Sequence, residues 1–256
     1  MIAVGIWLLS VALADLVGGL SGEPKDGART IGAIVTGVVA PAILCVIAAA
    51  DVGTLVLLTL LTGATTAAWI VIRRDAPRMS AVRALVALLF LLSTFAIVSA
   101  IGSELVSTFA AGSLLERAIG RSPFSLIASS SPEQVLFLLG VLAMLFATSN
   151  AIVRLVLTAM GTRFSNAEQR LRGGRVIGPL ERVLIFGLGL AGEATAAALV
   201  IGAKGLLRYP ELNGLRGESG AAGPSARTID VVTEYLLIGS LTSWLLALFP
   251  LVLVPA

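Results

Sequence analysis

Seven times along this chain of 256 residues, an apolar stretch of roughly twenty residues passes with almost no charge. The stretches are 2–20, 31–50, 54–72, 82–101, 135–152, 180–201 and 232–254. About twenty helical residues match the thickness of a hydrocarbon core. None of the stretches alternates with a period of two, and each is too long for a barrel strand. A helix satisfies its backbone groups internally, which lipid demands. The expected fold is therefore all-α: a polytopic transmembrane helical bundle of about seven spans. Composition supports this. Only 13% of the residues are charged, against about a quarter in a soluble domain, so lipid must act as solvent for much of the surface. The net charge of +3 reflects 18 basic against 15 acidic residues. So small an excess reads as a basic membrane face and gives no reason to expect nucleic acid as a partner.

Two regions are expected. Residues 1–172 form a five-span membrane region with an interfacial segment near 103–130, including a helix over about 103–118. Residues 173–256 form a two-span module with a flexible loop at 212–228, rich in Gly and Ser. Ser131-Pro132-Glu133-Gln134 reads as a helix start: a Ser cap, Pro at the first position and Gln three residues after the cap. That helix is expected to run on through Arg154 to about residue 162. Placing the N-terminus outside and the C-terminus inside puts Lys25, Arg29, the arginines of 73–83 and those of 154–182 inside. That is twice as many basic residues as remain outside. The segment 204–227 fits least well, because its four basic residues would face outward. Ala12-Leu13-Ala14 resembles a cleavage site, but no basic residue precedes the apolar run, so a first span is the preferred reading.

Chemistry is thinly supplied. The chain has no His and one Cys, Cys45. This removes the Ser-His and Cys-His nucleophile systems and the usual zinc sites. No catalytic residue, metal or cofactor is assigned, and an enzyme is the least favoured class. Gly187-Leu188-Gly189-Leu190-Ala191-Gly192 has dinucleotide-site spacing but lies inside an apolar span, so it reads as a face for close helix packing. The polar candidates within the spans are Asp15, Asn150 and Glu193, expected to line a hydrated cavity. A second set sits at the ends of the last two spans: Arg175, Glu181, Arg182, Lys204, Arg208 and Glu234. With one straight span between them, Glu181 and Lys204 should lie on opposite membrane faces. The bland reading of this set is snorkelling and surface pairing.

Three motifs occur in order near the C-terminus. They are GGRVIGPLER at 173–182, AKGLLRYPE at 203–211 and TEYLLIGSL at 233–241. Over 173–249 the chain resembles an uncharacterised family of bacterial polytopic membrane proteins with GR-IG-LER, AAK-LAR-x-E and EY-LIGT motifs. The resemblance implies a shared helical-hairpin module with a charged cluster at one membrane face, and no particular activity. The family carries Gln where this chain has Glu193.

The leading functional expectation is small-solute or ion transport through the bundle. The alternative is a non-catalytic scaffold, assembly factor or partner subunit. The expected partners are the bilayer and a membrane protein or a second copy of the chain. Sixteen arginines against two lysines, with abundant Ala, Gly and Val, suit a GC-rich genome and a multi-pass protein of the bacterial inner (cell) membrane.

Overall fold

The computed structural model describes residues 1–19, 27–73, 79–104, 112–123, 125–161, 174–217 and 226–254. The helices are α1 (Ile2–Gly18), α2 (Gly27–Ile47), α3 (Val52–Arg73), α4 (Ala81–Glu104), α5 (Leu114–Gly120), α6 (Ser125–Ala128), α7 (Pro132–Phe146), α8 (Ser149–Ala159), α9 (Gly174–Leu190), α10 (Ala194–Gly217) and α11 (Ala226–Leu253). Four are long and apolar enough to cross a bilayer: α2, α3, Ala81–Gly102 of α4 and Leu236–Leu253 of α11. The pair α7–α8 is a fifth if its 54° bend falls within one span. Two further apolar helical stretches, α1 and Ala194–Leu206 of α10, are shorter.

Helix α1 is the axis of the molecule. Ile6, Trp7, Ser10, Ala14 and Asp15 are all buried, and only Leu13, Leu16 and Val17, on one side of its C-terminal half, are exposed. α2, α3, α4 and α7 pack around it. The α1–α7 crossing is backbone on backbone. A Cβ on Gly5 would lie 2.6 Å from the Leu136 carbonyl carbon, and one on Gly140 would lie 2.9 Å from the Gly5 oxygen. Lipid supplies no hydrophobic drive between helices, so close dispersion contact of this kind holds them together.

Contacts also fix the helix directions. Ala33 lies beside Gly18 and Gly37 beside Ala14, so α2 runs antiparallel to α1. Trp7 bonds to Thr65 and Asp15 meets Arg73, so α3 runs parallel to it. Ala3 beside Gly102 and Trp7 beside Phe95 make α4 antiparallel. Gly5 beside Leu136 and Leu8 beside Gly140 make α7 parallel. In the C-terminal part, Gly239 of α11 faces Leu157 of α8 while Ser243 lies near the Asn150 end, so α11 runs antiparallel to α8.

The stretch 180–201 does not form one straight helix, which corrects the expected sixth span. α9 stops at Leu190. Gly192 has φ +78, its N–H donates to the Gly189 carbonyl at 3.1 Å, and the Glu193 N–H donates to the Leu188 carbonyl at 2.9 Å. This is a Schellman stop, which Gly makes without steric cost. The Glu193 carbonyl then accepts from the Ala197 N–H and opens α10, which folds back beside α9. The added reversal brings the start of α1 and the end of α11 to the same end of the bundle. Seven straight spans would have set them at opposite ends.

Other boundaries sharpen. The Ser131 cap forms as read: Gln134 N–H donates to Ser131 Oγ at 3.3 Å, and Ser131 N–H to Gln134 Oε1 at 3.0 Å. The helix it starts breaks at Ala147–Thr148 instead of running straight to 162. At the break, the Leu145 carbonyl accepts from the Ser149 hydroxyl and, at 3.4 Å, from Arg182 Nε. Side chains entering the backbone ladder are an identifiable cause of a bend. The interfacial helix expected over 103–118 is instead the end of α4 and the start of α5, with 105–111 outside the described residues. α10 and α11 extend into the expected 212–228 loop, of which 218–225 lie outside the described residues.

Candidate functional site: two buried polar clusters joined by a bent helix

The first cluster is built on Asp15, near the C-terminal end of α1. A carboxylate there meets the negative end of the helix dipole and needs a cation. Arg73, the last residue of α3, provides it: Nη2 lies 2.8 Å from Oδ1. Trp69, one turn earlier on α3, donates Nε1 to Oδ1 at 3.2 Å and to Oδ2 at 3.3 Å. Gly18 leaves room for the guanidinium, since a Cβ there would sit 3.4 Å from Nη2. Thr148 faces the same carboxylate at the α7–α8 break, although its buried hydroxyl makes no hydrogen bond of good geometry. The side chains of Asp15 and Arg73 are 1% and 10% exposed, so this is an ion pair taken out of solvent.

The second cluster is built on consecutive residues of α9. Arg182 is 2% exposed. It donates Nε to the Leu145 carbonyl, Nη1 to Ser243 Oγ at 3.0 Å and Nη2 to Asn150 Oδ1. All three acceptors are neutral. Among the described residues no carboxylate lies within ion-pair distance of Arg182. The adjacent Glu181 acts on it through space but turns its side chain elsewhere. Glu181 holds Lys204 of α10 at 2.6 Å and accepts from Trp244 Nε1 at 3.3 Å. Glu181 and Arg182 therefore meet Trp244 and Ser243, two adjacent residues of α11, which runs parallel to α9 because Gly189 lies beside Leu251 further along.

The expected residues are distributed as follows. Asp15 joins Arg73 and Trp69, and Asn150 joins Arg182, so the two clusters meet the same bend through Thr148 and Asn150. Glu193 joins neither, because it is exposed at the junction of α9 and α10. Glu181 and Lys204, expected on opposite faces, form an ion pair because α10 folds back on α9. Arg182 is buried, where snorkelling was the bland reading. Glu234 is exposed on α11, and Arg175 and Arg208 lie on α9 and α10 with side chains outside the described set.

Sequence reasoning missed Arg73, Trp69, Ser243 and Trp244. The four-residue spacing of Trp69 and Arg73 does place them on one helix face. Nothing comparable marks Ser243 and Trp244.

An apolar cavity of about 230 Å3 lies between α1, α4, α7, α8 and α11. Trp7, Phe95, Phe137, Met144 and Leu246 line it, together with Leu145 and Ser149 at the bend. Among the described residues, no group of three or more His, Cys, Asp or Glu side chains is placed to hold a metal.

No protein-family model matches the chain, and neither a curated protein nor a solved structure does.

Proposed function

We propose that the chain is a multi-pass bacterial cell-membrane protein that passes a small solute or ion through its helical bundle, using the Arg182 cluster. One observation carries this reading: a cation enclosed by helices and bonded, among the described residues, only to neutral acceptors. Ionisable groups inside membrane bundles are costly and by default mark a substrate or ion path.

The proposed topology keeps the N-terminus outside and places the C-terminus outside as well. The fold-back supports it. It moves Lys204, Arg208, Arg216 and Arg227 to the end of the bundle where Arg73 lies, leaving only Arg117 and Arg121 in the segments at the other end. That removes the one poorly fitting segment under the positive-inside rule. Cysteines at 181 and 204, with Cys45 replaced by Ser, should join through a short cross-linker. In a straight helix the two sites would be roughly 34 Å apart and would not.

Reconstituted vesicles test the transport reading. Flux of chloride, phosphate, acetate or a neutral solute such as glycerol should fall at least tenfold in Arg182→Gln. Flux equal to wild type would move the weight to the second reading, a scaffold or partner subunit. That reading is favoured by the internal closure of Asp15 on Arg73 and of Glu181 on Lys204. A stoichiometric partner in a pulldown from gently solubilised membranes would support it.

A further inference from the structure

We infer that Arg182 and the gap beside it at Gly178 form a binding site for a small oxyanion, a carboxylate or a phosphate. This deepens the transport reading by naming the substrate class at the same site. A guanidinium has five N–H hydrogens. Arg182 donates through Nε, Nη1 and Nη2 to one neutral acceptor each, so its charge stays uncompensated by any ion pair among the described residues. A planar fork with hydrogens left on both Nη atoms matches an oxyanion in a bidentate pose.

The backbone beside the fork carries no side chain. Gly178, one turn before Arg182 on α9, has no side chain where one would face the fork. A Cβ there would lie 3.7 Å from Nη2, 3.8 Å from Nη1 and 3.7 Å from Asn150 Oδ1. Gly178 is half-buried whereas Arg182 is buried, so Gly178 lies on the more open side of the guanidinium. Arg175, Gly178 and Arg182 follow the spacing i, i+3, i+7 and share one face of α9. This face begins at the end of the bundle where the exposed Arg29 and Arg83 stand, at the starts of α2 and α4, and positive charge there raises the local concentration of anions. The site is thus a cation held by neutral groups, an empty position next to it and a basic approach.

Purified full-length protein in detergent tests this through ligand-dependent stability, which follows binding whether or not transport occurs. Sodium phosphate and sodium acetate, at ionic strength matched with chloride, should each raise the thermal midpoint of the wild type in a saturable way. Phosphatidylglycerol in the micelles forms a separate arm. Stabilisation by that lipid and not by the free salts identifies a lipid headgroup as the oxyanion, and stabilisation by the salts identifies a free ligand.

Gly178→Ala is the decisive variant. Its methyl would meet the neighbouring atoms at ordinary contact distance, so the fold should survive while the gap fills. Its midpoint without anion should equal or exceed that of the wild type, and its apparent anion affinity should fall at least tenfold. Arg182→Lys should fold and lose most of the response. An unchanged anion response in Gly178→Ala, or no response to any of the three probes in the wild type, would overturn the site. Binding without flux would leave the site standing and remove the transport reading. Flux of a neutral solute in a protein that binds no anion would do the reverse.

Discussion

The bundle around α1 and the group α8–α11 solve the same problem differently. Around α1, helices touch through small residues, and the buried carboxylate of Asp15 has a full counter-charge in Arg73. In the second group, helices are broken or bent, and the buried Arg182 has only neutral acceptors. Burial follows the same division. Within their most apolar windows α2, α3 and α4 are 28%, 33% and 28% buried, whereas α11 is 11% buried and most of its other residues there are only partly covered. The first region is closed by its own contacts. The second keeps a buried charge without an ion-pair partner among the described residues, which suits the proposed ligand site.

Ion pairing in the closed region gives the largest expected effect. Asp15→Asn leaves Arg73 buried without its anion and should cost about 3–5 kcal/mol. The double variant Asp15→Leu with Arg73→Leu should recover much of that loss. Thermal unfolding in detergent reads both, and a small cost for Asp15→Asn alone would erase the contrast between the regions.

Matched glycine substitutions should separate the regions next. Gly5→Ala drives a methyl into the Leu136 backbone and should cost about 1–3 kcal/mol. Gly189→Ala meets only the tip of the Leu251 side chain, which can turn away, so its cost should be clearly smaller. Equal costs would mean that α9 and α11 pack as tightly as α1 and α7.

A smaller gain is expected at the α2–α3 turn. Ala49 has φ 55, the left-handed conformation that Gly adopts freely. Ala49→Gly should stabilise the protein by about 1 kcal/mol, measured by the same unfolding assay.

The smallest effect is at Asp51, two residues on. Its carboxylate accepts from the Gly53 and Thr54 N–H groups, at 2.9 Å and 3.3 Å. The Thr54 side chain and these amides hold its pKa below the usual aspartate value. Its stabilisation is therefore complete above about pH 4, the unfolded value, and fades as pH falls through the lowered folded value. The difference in midpoint between wild type and Asp51→Asn should shrink only in that acidic window. A difference that stays constant through the window would show that the cap is not electrostatic.

How much of this the sequence revealed depends on range. The apolar runs at 31–50, 54–72 and 82–101 mark α2, α3 and α4 to within a few residues, because hydropathy accumulates over twenty positions. The Ser131 cap was legible because its partners lie within one turn. The stop at Gly192 was hidden: one residue of positive φ ends a helix, and averaging over an apolar run erases it. Asp15 was conspicuous as a carboxylate in a span, but its partner Arg73 comes 58 residues later, beyond the reach of any local pattern. Arg182 looked like an interfacial anchor because it stands at the edge of an apolar run. Only the packing of α8 and α11 encloses it.

The Schellman stop at Gly192 also bears on how such a gene can grow. In the proposed topology the start of the first helix and the end of the last lie on one side of the membrane, so two copies translated as one polypeptide would insert the same way up. No extra membrane-crossing connector would be needed between them. Straightening that turn would change the parity, and a tandem duplicate would then be inserted upside down.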